Sequence, residues 1–96
     1  MYARITRFQM DPSREAEVVA QLDEVSVQAK AIPGMIAAYS AWRSADGQGV
    51  TTGIYESKAA AEAAAPEVQR MLSGMASLMT SPPSAEEFEN VRDVLA

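Results

Sequence analysis

The chain contains no cysteine and no histidine. Without cysteine there is no disulfide, thiolate nucleophile, zinc–thiolate site or iron–sulfur cluster. Without histidine it lacks the commonest general base and metal ligand, and the usual axial ligand of haem. No apolar run approaches the roughly 18 residues that a membrane-spanning helix needs. The opening Met1-Tyr2-Ala3-Arg4 leads straight into a strand pattern and has no signal-peptide apolar region, so a soluble, cytoplasmic protein is expected. Positive charge is also sparse. Eight Lys and Arg stand against thirteen Asp and Glu, for a net charge of −5, and no basic run occurs. Nucleic acid and anionic membrane surfaces need clustered cations and are therefore not expected partners.

What is present fits one domain over residues 1–96. The apolar fraction is 48%, but much of it is alanine, which buries little area per residue. A chain of this size buries only roughly 60–70% of its unfolded surface, so its core is thin. A second copy covering part of the surface is the economical remedy.

Tyr2 to Met10 reads as a strand, with Tyr, Ile, Thr and Phe and neither Gly nor Pro. Asp11-Pro12 then starts a helix, Asp11 as its cap and Pro12 in its first position. Val18, Leu22, Val25 and Ala29 form its apolar stripe, and Lys30 sits at the end where a cation is favoured. Ile32-Pro33-Gly34-Met35 ends that helix, because Pro33 disfavours the α region at Ile32 and Gly34 permits a turn. Met35 to Arg43 and Val50 to Glu56 read as two strands of a hairpin around Asp46-Gly47. Ser57 caps an Ala-rich helix that Pro66 is expected to break or kink. A second helical piece, Glu67 to Met79, carries Val68, Met71, Leu72, Met75, Leu78 and Met79 on one face. Glu86 to Leu95 is expected as a last strand.

The order β-α-β-β-α-β predicts an α+β, ferredoxin-like protomer with both helices on one face of an antiparallel sheet. Strand residues alternate between faces, so apolar strand positions remain on the other side. Two such sheets packed face to face, a homodimer, would cover them.

No phosphate loop, nucleophile elbow or metal-spaced cluster is present. Ser73-Gly74 lies in a helix with no base to activate the hydroxyl. The acidic pairs Asp23-Glu24 and Glu86-Glu87 are adjacent and point apart, as a solvated charged face would. Trp42 and Tyr55 are either core or the lining of a cavity beneath the second helix. Met71, Met75 and Met79 adapt to irregular gaps and ligands as readily as they fill a core. Ala38, Ser40, Thr51 and Gly53 would leave room beneath them. Arg4, Arg7, Arg43 and Arg92 lie on expected strands. Arg4 is the best placed to hold an anionic oxygen in a pocket, because Tyr2, Thr6 and Phe8 share its face. The candidate ligand-binding set is therefore Arg4, Trp42, Tyr55, Met71 and Met75, with no assigned catalytic residue and no metal.

Three segments together resemble the antibiotic biosynthesis monooxygenase-like group of dimeric α+β barrels: the strand Tyr2-Ala3-Arg4-Ile5-Thr6-Arg7-Phe8-Gln9, the Ile32-Pro33-Gly34-Met35 junction, and Gly53-Ile54-Tyr55-Glu56-Ser57 leading into a helix. The resemblance implies a homodimer whose sheets form a barrel, with a pocket between sheet and second helix. It also implies one of several activities. Some members are cofactor-independent monooxygenases of polycyclic aromatic substrates, others degrade haem, and others have no known activity. The haem-degrading members use a strand Asn, a Trp and a helix His. This chain has no His, and its only Asn is Asn90, so that activity is not expected. The cofactorless oxygenases use Asn, Trp, Tyr and Arg around the substrate, residue types that Trp42, Tyr55 and Arg4 supply. Such chemistry needs no cofactor, because the substrate provides the electrons as an enolate that an Arg or Tyr could stabilise. Three readings follow: an oxygenase acting on a small aromatic or polyketide-like compound, a non-catalytic binder of such a ligand, or a structural dimeric module.

Overall fold

A computed structural model describes all of residues 1–96. Its elements are β1 (Tyr2–Gln9), α1 (Glu15–Ala29), β2 (Met35–Trp42), β3 (Gln48–Tyr55), α2 (Lys58–Ser73) and β4 (Ser84–Phe88). The four strands form one antiparallel sheet in the order β2-β3-β1-β4. Because β1 and β2 both run antiparallel to the β3 between them, they are parallel to each other. The same holds for β3 and β4 across β1. This is the ferredoxin-like α+β arrangement that the element order predicts.

Local chemistry accounts for most boundaries. Asp11 Oδ1 accepts from the Ser13 backbone N–H at 3.0 Å and from its hydroxyl at 2.7 Å. That cap starts a short 3₁₀ turn, Pro12–Arg14, and α1 begins only at Glu15, later than the sequence suggests. After α1, Gly34 turns the chain with φ of +80°, a conformation that costs glycine nothing. Its carbonyl accepts from Glu56 N–H at 2.8 Å, which ties the start of β2 to the end of β3. The Ser57 hydroxyl accepts from Ala60 N–H at 3.1 Å and caps α2.

Three expectations are corrected. Pro66 does not break its helix: α2 runs through it from Lys58 to Ser73. Pro66 and Glu62 lie on the exposed side, where water can satisfy the Glu62 carbonyl that loses its N–H partner. Ala61, Ala64 and Met71 meanwhile anchor the opposite side in the core. The helix ends at Ser73 rather than near Met79, and Ala76–Leu78 form a separate 3₁₀ turn. The last strand is Ser84–Phe88, not Glu86–Leu95. Its ladder pairs Ser84 with Arg7 and Phe88 with Ala3, and β1 starts at Tyr2, so nothing remains for residues 90–95 to pair with.

The core lies between the sheet and the helices in two clusters. Tyr2, Ile32, Tyr55, Ala61, Ala64 and Met71 form one. Met10, Val18, Met75 and Leu78 form the other, with Phe8, Leu22, Trp42 and Met79 packed against it. The far face of the sheet carries Ala3, Ile5, Val50, Ile54, Tyr39 and Phe88. Of these only Ala3 is buried, while Tyr39 is 70% and Phe88 45% exposed.

Candidate functional site

A cavity of about 470 Å³ opens between the sheet and the helices. Strand register builds its floor. Thr6 on β1 pairs with Thr51 on β3, and Thr51 pairs with Ser40 on β2, so three hydroxyl side chains cross the sheet in one row. The Ser40 and Thr51 hydroxyls are 2.8 Å apart and hydrogen-bonded. Thr6 is only 6% exposed as a residue, but its hydroxyl, which makes no hydrogen bond within the chain, is not a sealed atom: Arg4 Nε is the one fully buried side-chain polar atom without a partner. Phe8, one step further along β1, closes one end of the floor.

The walls are apolar. Val18 and Leu22 come from α1, and Leu72 from the last turn of α2. Met75, Ala76 and Met79 come from the chain just beyond α2. Thr80-Ser81-Pro82-Pro83 forms the rim on the way to β4. No acidic or basic side chain and no tyrosine lines the cavity. Apolar walls with a few convergent polar groups are the usual make-up of a small-molecule site.

The residues singled out in the sequence are divided by this geometry. Met75 lines the cavity, while Met71 packs in the other core cluster beside Tyr55. Tyr55 is 2% exposed, and burial pushes its phenol above the ordinary value, with the charge of Arg4 pulling it back. Arg4 points to the helix side, on the rung next to Thr6, opposite Gly53. Its Nε is buried and has no partner. Trp42 sits at the edge of the second core cluster, where its Nε1 donates to Glu15 Oε1 at 2.9 Å. The Ser44 hydroxyl donates to the same oxygen at 2.7 Å. These bonds, from Trp42 and then Ser44, hold the Glu15 carboxyl below its ordinary value.

Of the small residues noted beneath the second helix, Ser40 and Thr51 line the cavity. Thr6, Phe8, Val18, Leu22 and the Thr80–Pro83 rim were not singled out as ligand contacts. Alternation along β1 does place Thr6 and Phe8 on the face of Arg4. The rim reads in sequence only as a helix terminator. No three Asp, Glu, His or Cys side chains come together as metal donors. No helix is long and apolar enough to cross a membrane.

No protein-family model and no curated protein matches the chain in sequence. Solved structures do match it, over nearly its full length. A structure of an antibiotic biosynthesis monooxygenase is similar with a TM-score of 0.77 and 16% identity, covering 96% of this chain and 100% of that one. The ActVA-Orf6 monooxygenase of Streptomyces coelicolor, crystallised with nanaomycin D, gives 0.76 and 20%, covering 99% and 91%. Rv0793 from Mycobacterium tuberculosis gives 0.75 and 20%, covering 97% of each chain. The chain thus has the ferredoxin-like α+β fold of the antibiotic biosynthesis monooxygenases, the fold its sequence resemblance implies.

Proposed function

We propose that this protein holds a small aromatic or polyketide-like compound in the cavity and oxidises it with molecular oxygen, without a cofactor. The observation that carries the reading is the cavity itself: about 470 Å³, apolar on its walls and polar on its floor, on a fold shared with monooxygenases. The ActVA-Orf6 complex with nanaomycin D supports a ligand of that class. In such a reaction a ring CH₂ becomes a carbonyl. One atom of O₂ enters the product and the other leaves as water, with the substrate supplying the electrons. The protein's part is to position the ring and exclude bulk water.

A non-catalytic binder is the second reading, favoured by one observation. No side chain lining the cavity can take up a proton near neutral pH, so no general base stands beside the ligand. Oxygen-electrode measurements with anthrone separate the two. Equimolar oxygen uptake above the rate of autoxidation supports the enzyme. Saturable binding without uptake, across a panel of anthrone-type compounds, leaves the binder.

The same proposal includes a homodimer with the uncovered sheet faces packed together, through Ile5, Val50, Ile54 and the exposed Tyr39 and Phe88. Apolar surface of this kind is what a second copy would bury. Light scattering at micromolar concentration should give twice the 10.3 kDa chain mass, and a clean monomer would count against it. The proposal also has the protein act in the cytoplasm, which fractionation of the source cells would test.

A further inference from the structure

We infer that the cavity selects an uncharged ligand that presents a neutral oxygen, as a ketone, quinone or phenol does, to the hydroxyl of Thr6. The inference rests on the reading of this cavity as the ligand site and adds the chemical class it accepts and the residue that reads it.

The floor carries three of the cavity's hydroxyls, the others being Thr80 and Ser81 at the rim, and its hydrogen-bonding capacity is partly unspent. Each hydroxyl has one O–H to donate. Ser40 and Thr51 share one hydrogen bond at 2.8 Å, which uses one of their two O–H groups. Thr6 uses none within the chain, and although the residue as a whole is only 6% exposed it lines the cavity. Its hydroxyl oxygen is accessible rather than sealed, since Arg4 Nε is the one fully buried side-chain polar atom without a partner, so its unspent O–H is free to donate to a ligand oxygen that reaches the floor. Thr6 lies on the central strand β1, fixed by pairing on both sides with Thr51 and Ala85, so its hydroxyl is held by rigid backbone.

Charge sets the other half of the selectivity. No Lys or Arg lines the cavity. Arg4, on the adjacent rung, is not part of the lining. An anion entering apolar walls would lose its hydration and gain no counter-charge, whereas a neutral ketone loses little and gains a hydrogen bond. Carboxylates of the same ring system should therefore be rejected.

The test compares three probes of one shape: tetralone, tetralin and a tetralin carboxylate, titrated into the wild-type protein and Thr6→Val at neutral pH. Valine keeps the shape of threonine and removes only a hydroxyl that holds nothing else in the chain. The expected result is that Thr6→Val weakens tetralone by about three- to tenfold and leaves tetralin unchanged. In the wild type, the carboxylate should bind at least about tenfold more weakly than tetralone. Equal loss for tetralone and tetralin, no loss for tetralone, or a carboxylate that binds as tightly as the ketone would overturn the inference. The carboxylate comparison needs no variant, so it stands even if Thr6→Val folds poorly. Failure of all three probes to bind overturns this inference together with the reading of the cavity as a ligand site. Selective ketone binding without oxygen uptake from anthrone supports this inference and removes only the enzyme.

Discussion

Replacing Gly49 with alanine should destabilise the protein through a side chain that also shapes the cavity. Gly49 on β3 pairs with Phe8 on β1, and the Phe8 ring lies over it. A Cβ at Gly49 would meet Phe8 Cζ, Phe8 Cε2 at 2.5 Å and the Ala41 carbonyl oxygen at 2.8 Å. The ring can swing aside only by giving up its packing against the cluster of Met10, Val18, Met75 and Leu78. The Ala41 carbonyl belongs to β2 and cannot move without straining the sheet. Overpacking of this kind costs about 1–3 kcal/mol. At roughly 4–8 °C per kcal/mol for a domain of this size, the melting temperature should fall by roughly 4–24 °C. Circular dichroism on Gly49→Ala, Phe8→Leu and the double variant gives the test. Leucine removes the ring, so Gly49→Ala should cost at least about 0.5 kcal/mol less in the Phe8→Leu background. An unchanged melting temperature for Gly49→Ala, or the same cost in both backgrounds, would refute the reasoning.

Two further changes probe the packing and the electrostatics. Met10 is fully buried and Met79 borders the cavity, so Met10→Ala should cost about 2–5 kcal/mol in urea unfolding and Met79→Ala clearly less; the reverse order would mean that the cavity is filled. Glu15 is held below its ordinary value of 4.5 by its bonds to Trp42 and Ser44. A depressed carboxylate stabilises the fold above its unfolded value, and that contribution fades as pH falls through the folded one. The difference in melting temperature between wild type and Glu15→Gln should therefore shrink as pH drops below 4.5, whereas a difference independent of pH would contradict this account.

The sequence carried the fold because its punctuation is local. Asp11-Pro12, Pro33-Gly34, Asp46-Gly47 and Ser57 each act within a few residues, and each marks a boundary in the structure. Pro66 shows the limit. Its helix-breaking tendency is intrinsic, but whether the freed Glu62 carbonyl meets water or protein depends on the side of α2 it occupies. The end of β4 is likewise set by where β1 begins, a partner distant in sequence. The cavity was harder to read than the sheet beneath it. Alternation put Thr6 with Phe8, and Ser40 and Thr51 were legible as small residues under a helix. That they form one row depends on strand register, which the long hairpin loop leaves open. The three methionines have the spacing of one helical face, yet α2 stops at Ser73. Met71 therefore fills one core cluster, while Met75 and Met79 turn toward the cavity. The aromatic residues drew attention as ligand contacts, but Tyr55 is packed beneath α2 and Trp42 is engaged with Glu15.

The central claim is that the space beside Thr6 is a ligand site, and methionine methyl NMR tests it most directly. Met75 and Met79 line the cavity, whereas Met35 and Met71 belong to the other end of the core. Titrating anthrone into protein carrying ¹³C-methyl methionine should shift the Met75 and Met79 resonances saturably and leave those of Met35 and Met71 in place. No saturable shift at Met75 and Met79, or shifts centred on Met71, would contradict the account.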